Sequence, residues 1–165
     1  MKAPRVSLSD LRALAQFRYE LRGFLAFSEQ AARAAGIEPQ QHQLLLALGG
    51  LPARQLPNIR TLAQRLCVQH HTAVALVDKL VERGLVRRER SREDKRQVLV
   101  HLTESGADLL QRLSRQHRSH LQRVGPEMVA ALGSILDDRG WDAPESQFRA
   151  APHPETPAKA GSARF

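Results

Sequence analysis

The sequence predicts a mainly α chain with one small β-hairpin wing, a winged helix-turn-helix joined to further long helices. Three observations carry this. Through positions 9–138 apolar residues recur three or four apart, the period of an amphipathic helix. One stretch, 97–102 (QVLVHL), switches to period two and is rich in β-branched residues, as a strand is. Just ahead of it stand two short helical segments separated by a tight turn, the helix-turn-helix pattern.

The first helix runs from Ser9 to about Ala35. Leu14, Phe17, Leu21, Phe24, Ser28 and Ala31 form its stripe. Ser7 or Ser9 caps its start, Gly36 stops it and Pro39 opens the next helix. At about seven turns it overruns a small core, so part of the stripe is expected to pack on a second chain. The second helix, 39–50 (PQQHQLLLALGG), closes at Gly49 and Gly50. The connection 51–58 (LPARQLPN) holds two prolines and ends on Asn58, a good N-cap for 59–66 (IRTLAQRL). Ile59, Leu62, Ala63 and Leu66 face inward there. Residues 67–69 (CVQ) form the turn. Residues 70–84 then form a fourth helix, with Val74, Leu76, Val77, Leu80 and Val81 as its apolar side and Gly84 as its C′ residue.

Segments 85–90 (LVRRER) and 97–102 flank a charged tip and pair as a hairpin. The alternation Val98, Val100, Leu102 against Leu99 and His101 gives the hairpin a firm base. A helix-turn-helix followed at once by such a hairpin is a winged helix. Thr103 caps a fifth helix with the stripe Ala107, Leu110, Leu113, His117, Leu121 and Val124. Gly125 and Pro126 are expected to break it, and 127–138 forms a sixth. Beyond Gly140 the sequence is Pro- and Ala-rich without period, so 139–165, with Trp141, Phe148 and Phe165, is expected to be a disordered tail. Residues 8–138 make one domain, with the winged helix-turn-helix lobe at 55–104.

The net charge is +8 and the isoelectric point about 10.9, which favours a polyanionic partner, nucleic acid before an anionic membrane surface. The one cysteine, Cys67, excludes an intramolecular disulfide framework and a four-cysteine zinc site. It fits a reducing compartment and is read as a small buried filler of the turn. A metal site built from Cys67, His70 and His71 is not expected. No apolar run reaches the length of a signal peptide or a spanning helix, so the expectation is a cytoplasmic, nucleoid-associated protein without membrane contact. The sequence carries no Gly-rich phosphate loop, nucleophile elbow or zinc-hydrolase pair. No enzyme, catalytic residue, cofactor or metal is therefore expected.

The stretch 58–106, NIRTLAQRLCVQHHTAVALVDKLVERGLVRRERSREDKRQVLVHLTESG, resembles the winged-helix core of the MarR family of bacterial transcriptional regulators. The matching positions are Leu62, Ala63 and Leu66, then Thr72 with LVDKLVERGLV, then EDKRQVLVHLT to Gly106. The resemblance extends over about 8–138. It implies a homodimer, with helices from 8–50 and 107–138 as the dimerisation domain. It also implies a repressor or activator of nearby genes, often relieved by a small aromatic or phenolic ligand. That ligand would lie between the dimerisation helices and the winged helix, on elements that carry Phe17, Phe24, His42 and His117. Ordinary core or interface packing is the alternative for these four.

For DNA contact, the start of the fourth helix enters the major groove. Gln69 can pair with adenine, Thr72 offers a methyl or a hydroxyl, and His70 and His71 donate or accept according to protonation. Val74 and Ala75 suit thymine methyls, and Lys79 lies further along the same helix. Family members commonly carry arginine or serine near positions 70–71 and a polar or basic residue near 74–75, so no base preference carries over. From Arg87 to Arg96 there are six positive and three negative side chains, a net +3. Arg96 matches the family's minor-groove arginine, and Asp94 a family acid that orients nearby arginines. Arg88, Arg90, Arg92 and Lys95, with Arg60 and Thr61, suit phosphate contacts. The expected partner is a pseudo-palindromic duplex operator. The alternatives are a basic architectural protein without ligand control and a protein-binding winged helix.

Overall fold

The structure, a computed structural model, describes residues 6–91 and 97–136. The element order is α1 (Leu8–Ala34), α2 (Pro39–Gly49), α3 (Ile59–Leu66), α4 (His70–Glu82), β1 (Val86–Arg90), β2 (Val98–Leu102) and α5 (Glu104–Leu136). Arg92, Asp94, Lys95 and Arg96 at the wing tip, and the segment 139–165, lie outside the described residues.

Local chemistry sets the helix ends. Ser7 caps α1 in a capping box with Asp10, Asn58 Oδ1 accepts the Thr61 amide at 2.9 Å, and Thr103 Oγ1 accepts the Gly106 amide at 3.1 Å. Helices α1, α3 and α4 finish in one shared geometry. A residue at positive φ (Gly36, Cys67, Gly84) is followed by an apolar residue whose amide returns five positions: Ile37 to Ala32, Val68 to Ala63, Leu85 to Leu80. This is the Schellman closure, and glycine suits it because the left-handed region penalises a Cβ. Cys67 occupies that position at φ 54° and is exposed, so it is not the buried filler expected from the sequence. The turn sets its backbone and points its side chain outward.

The core lies where the two-helix motif, the hairpin and the first turns of α5 meet. Leu44, Leu45, Leu62, Val77, Leu80, Val86, Val100 and Leu113 are fully or almost fully buried in it. On α4 the buried side chains are Ala73, Leu76, Val77 and Leu80. Leu76, Val77 and Leu80 are buried as the sequence predicts, whereas Val74 is only half-buried, Val81 is exposed and Ala73 joins the buried face. Strands β1 and β2 are antiparallel, with Val86 opposite Leu102, Arg88 opposite Val100 and Arg90 opposite Val98. Gly106 fits α5 against the end of α4: a methyl there would drive into the backbone carbonyl of Leu85. Thr103 Oγ1 locks the same corner by donating to the Gly84 carbonyl at 2.7 Å.

The expected break at Gly125–Pro126 is absent. Helix α5 runs unbroken for 33 residues with Pro126 inside it, so 127–136 continues α5 and is not a sixth helix. Proline removes one backbone hydrogen bond and costs about 3 kcal/mol in a helix interior. The buried residues of α5 lie on both sides of it, Leu109, Leu110 and Leu113 before and Ala131 after.

Helix α1 packs along α5, yet over its 27 residues only Ser28 and Ala32 are buried. Leu8, Leu11 and Leu14 near its start, and Val129, Leu132 and Leu136 near the end of α5, remain exposed. The core of this chain therefore covers only one end of the α1–α5 pair.

Candidate nucleic-acid interface

Helix α4 sorts its residues by face. With Ala73, Leu76, Val77 and Leu80 inward, the opposite side presents His71, Ala75, Lys79 and Glu82, spaced three or four apart and so stacked in one row. Gln69 and His70 are exposed at the helix start, and Thr72 and Val74 are half-buried on the flanks. The N-cap residue Gln69 makes no side-chain capping bond, and the first turn carries no acid. The opening amides of α4 and its positive dipole end therefore face outward, ready for an anion.

The wing is tied to this helix at two points. Arg88 stands opposite Val100, on the hairpin face that also buries Val86, and its Nη1 lies 2.6 Å from Asp78 Oδ1 on α4. On the other strand, Val100 donates its amide to the Pro57 carbonyl at 2.7 Å, and Leu99 bridges to Asn58 just before α3. These contacts fix the hairpin relative to both helices of the motif. Arg87 points to the other face, where it pairs with Glu89. Arg90 is exposed at the end of β1, where the chain enters the tip. Arg60 is exposed and Thr61 half-buried in the first turn of α3.

Sequence reasoning placed Arg88 among the phosphate contacts and missed its pairing with Asp78. A signal existed: Asp78 sits one turn before Glu82 on the otherwise apolar or basic α4. Only the hairpin register brings it to Arg88. Among the described residues no group of three His, Cys, Asp or Glu side chains is placed to hold a metal ion, and no helix is long and apolar enough to cross a membrane.

A second feature lies away from this surface. Phe24 of α1, His42 of α2 and His117 of α5 line one open cleft of about 480 Å³, together with Leu46, Ser114 and Arg118. Phe17 is half-buried two turns earlier on α1 and is not among the lining residues. His42 is buried and stacks on His117. Burial, and then the neighbouring His117, hold the His42 imidazole below the ordinary histidine range. Helix α2, which forms one wall, also packs on α3 and α4.

A family model described as the MarR family matches residues 35–97. The chain is 28% identical over 145 residues, 84% of its own length and 92% of the other, to the uncharacterized HTH-type transcriptional regulator YkoM of Bacillus subtilis (strain 168). Its fold is similar to the S. aureus MepR F27L mutant bound to an oligodeoxyribonucleotide, with a TM-score of 0.58, 21% identity and coverage of 80% of this chain and 97% of that one. It is similar also to CouR from Rhodococcus jostii RHA1 bound to p-coumaroyl-CoA, with a TM-score of 0.60, 25% identity and coverage of 81% and 97%.

Proposed function

We propose that this chain is a transcriptional regulator of the MarR family and reads a pseudo-palindromic duplex operator as a homodimer. The observation that carries this reading is the fixed offset between the outward row of α4 and the wing, held by Arg88–Asp78 and by the Pro57–Val100 bond. A helix and a hairpin so tied can enter the major groove and the flanking minor groove of one half-site together. Gln69, His70, His71, Thr72, Val74, Ala75 and Lys79 meet base edges and nearby phosphates. Arg90, Arg92, Lys95 and Arg96 reach the backbone and minor groove, with Asp94 orienting them. The MepR F27L mutant bound to an oligodeoxyribonucleotide supports the same use of a shared fold.

The exposed apolar positions on the start of α1 and the end of α5 supply the dimer contact. Leu8, Leu11 and Leu14 on one helix and Val129, Leu132 and Leu136 on the other are exposed, and a second chain packed on them would take these large apolar side chains out of water. On this reading 8–50 and 107–138 dimerise and 55–104 binds DNA.

The protein acts as a repressor relieved by a small aromatic effector in the α1–α2–α5 cleft. CouR, with p-coumaroyl-CoA bound, supports that use of the fold. Because α2 touches both the cleft and the DNA-reading helices, an occupant that spreads α2 from α5 changes the spacing of the two heads. It shifts the balance only by its differential affinity for the two spacings.

Selection from fragments of the source genome, followed by competition titration, tests the proposal. The selected fragment should bind ~10³-fold or more tightly than random duplex at physiological salt. Equal affinity would identify a basic architectural protein, and no DNA binding would leave a protein-binding winged helix.

A further inference from the structure

Two imidazoles meet where α1, α2 and α5 join. His42 and His117 stack with ring centroids 4.8 Å apart and planes inclined by 29°. His117 is held at both nitrogens: Nδ1 lies 2.6 Å from the Leu113 carbonyl, to which it donates, and Nε2 lies 2.8 Å from Ser28 Oγ, from which it accepts. It thereby ties α5 to α1. His42 has no such anchor. It is 2% exposed, and its Nδ1 is buried without a hydrogen-bond partner. A buried nitrogen in that state costs free energy even in a neutral ring, and a charged ring there would cost far more.

The groups that face His42 offer it no countercharge. Helix α5 presents His117 and Arg118, and α1 presents Phe24, with no carboxylate among the described residues beside them. His120 of α5 is turned to α1, stacked on Phe27 at 3.9 Å. Glu38 on α2, Glu29 and Arg33 on α1, and Lys79 on α4 line a separate cleft beside Gln41. On α4, Asp78 pairs with Arg88. Arg65 of α3 and His101 of β2 lie in two further clefts, neither of which includes His42. Burial first, and the neighbouring His117 second, hold the His42 imidazole below the ordinary histidine range. The helix that carries this ring is also the link between the two parts of the chain. Helix α2 packs on α1 and α5 on one side and on α3, α4 and β2 on the other, and its Leu44 and Leu45 are fully buried in the core.

We propose that this pair is an acid switch: one proton on His42 unseats α2 from α1 and α5 and so weakens operator binding, with no ligand required. The inference rests on the operator reading above and adds a control that reading does not contain. With α2 seated, the neutral ring lies on His117 and α2 is held between the long helices and the reading lobe. An imidazolium in the same place faces a second imidazole and Arg118 without a carboxylate, so it gains by turning into water. Its helix moves with it, and Leu44 and Leu45 carry the movement into the core under α3 and α4. Seated, α2 holds one spacing of the reading heads. Unseated, that spacing is no longer held, and the fraction of molecules that match the operator falls. The seated ring titrates below its ordinary range and the released, solvated ring at its ordinary value, so acid favours release. Between those two values the balance shifts by up to about tenfold per pH unit in each subunit.

Two readouts on the full chain test this between about pH 7.5 and pH 5.5. The first uses no DNA. The α2 amides around Leu44 and Leu45 are expected to exchange with solvent about tenfold faster at the acid end, after correction for the intrinsic rate, and in step with the titration of the His42 ring protons followed by NMR. The second is affinity for the selected operator fragment. Protonation of the exposed His70 and His71 at the start of α4 strengthens DNA binding, the opposite sign, so the wild type is read against variants that keep both. His42→Gln and His42→Phe cannot take the proton and are expected to lose the acid-induced exchange. Relative to either variant, the wild type is expected to lose about threefold or more in operator affinity across the range. Should neither variant fold, the coincidence of ring titration and α2 exchange in the wild type decides. Corrected exchange that does not change with pH, or operator-binding profiles that run parallel in wild type and variants, overturns the inference. The cause of failure is distinguishable: a protein that selects no operator even at about pH 7.5 sinks the regulator reading, and this inference with it, before any acid is added.

Discussion

Cys67 occupies a backbone position that the ends of α1 and α4 give to glycine. A Cβ in the left-handed region costs roughly 1 kcal/mol, and this side chain is exposed, so little packing offsets it. Cys67→Gly should raise unfolding free energy by about 0.5–1 kcal/mol in urea melts, whereas Gly84→Ala, at the equivalent turn, should lower it by about the same amount. His42 gives a second prediction. Its folded-state value is lowered, so the unfolded chain takes up the proton first as pH falls. Its contribution is full above the ordinary histidine value of 6.5 and is lost as pH drops through it toward the folded value. The urea midpoint should fall between about pH 7.5 and pH 5.5 more in the wild type than in His42→Phe. The residue scale was also where the sequence spoke most directly. Asn58, Thr103, Gly36 and Gly84 act through their own backbone neighbourhood, and each was readable as a cap or a stop. Cys67 was not, because a non-glycine residue in the left-handed region leaves no mark in composition or period.

At the element scale the difficulty lay in weighing local against tertiary effects. Gly125–Pro126 is a strong local stop, but it acts at one turn of a helix whose packing spans many. The period of α4 and the centre of its buried face, Leu76, Val77 and Leu80, were legible; at the margins the larger apolar side chains of Val74 and Val81 were favoured over the small Ala73, which is the one buried. The wing's strands were legible from their alternation. Its attachment to α4 was not, since Arg88 and Asp78 meet only through the hairpin register. That pair tests whether the offset matters. Both side chains are over a third exposed, so Arg88→Ala and Asp78→Ala should each change folding stability by less than about 1 kcal/mol. In operator binding, Asp78→Ala should nonetheless weaken affinity, because a carboxylate facing DNA would otherwise be expected only to repel it. An Asp78→Ala variant that binds the operator more tightly would show the pair to be incidental.

For the whole molecule, a net charge of +8 and the exposed apolar residues of α1 and α5 are what the proposed dimer requires, apolar surface for a second chain and basic heads for a polyanion. The candidate DNA surface was named from residue types in order, and His42, His117 and Phe24 were named for the cleft that they line; the stacking of the two imidazoles and the bond from Ser28 were not legible. Ser28, His42 and His117 are far apart in sequence and converge only when α1, α2 and α5 pack. The central claim is that twofold-related helix-and-wing pairs grip both grooves of one duplex at a fixed spacing. Hydroxyl-radical footprinting of the selected genomic fragment measures this directly. The account predicts two symmetric protected half-sites about one helical turn apart, each with flanking minor-groove protection. A single protected half-site, or uniform protection that slides with sequence, would contradict it.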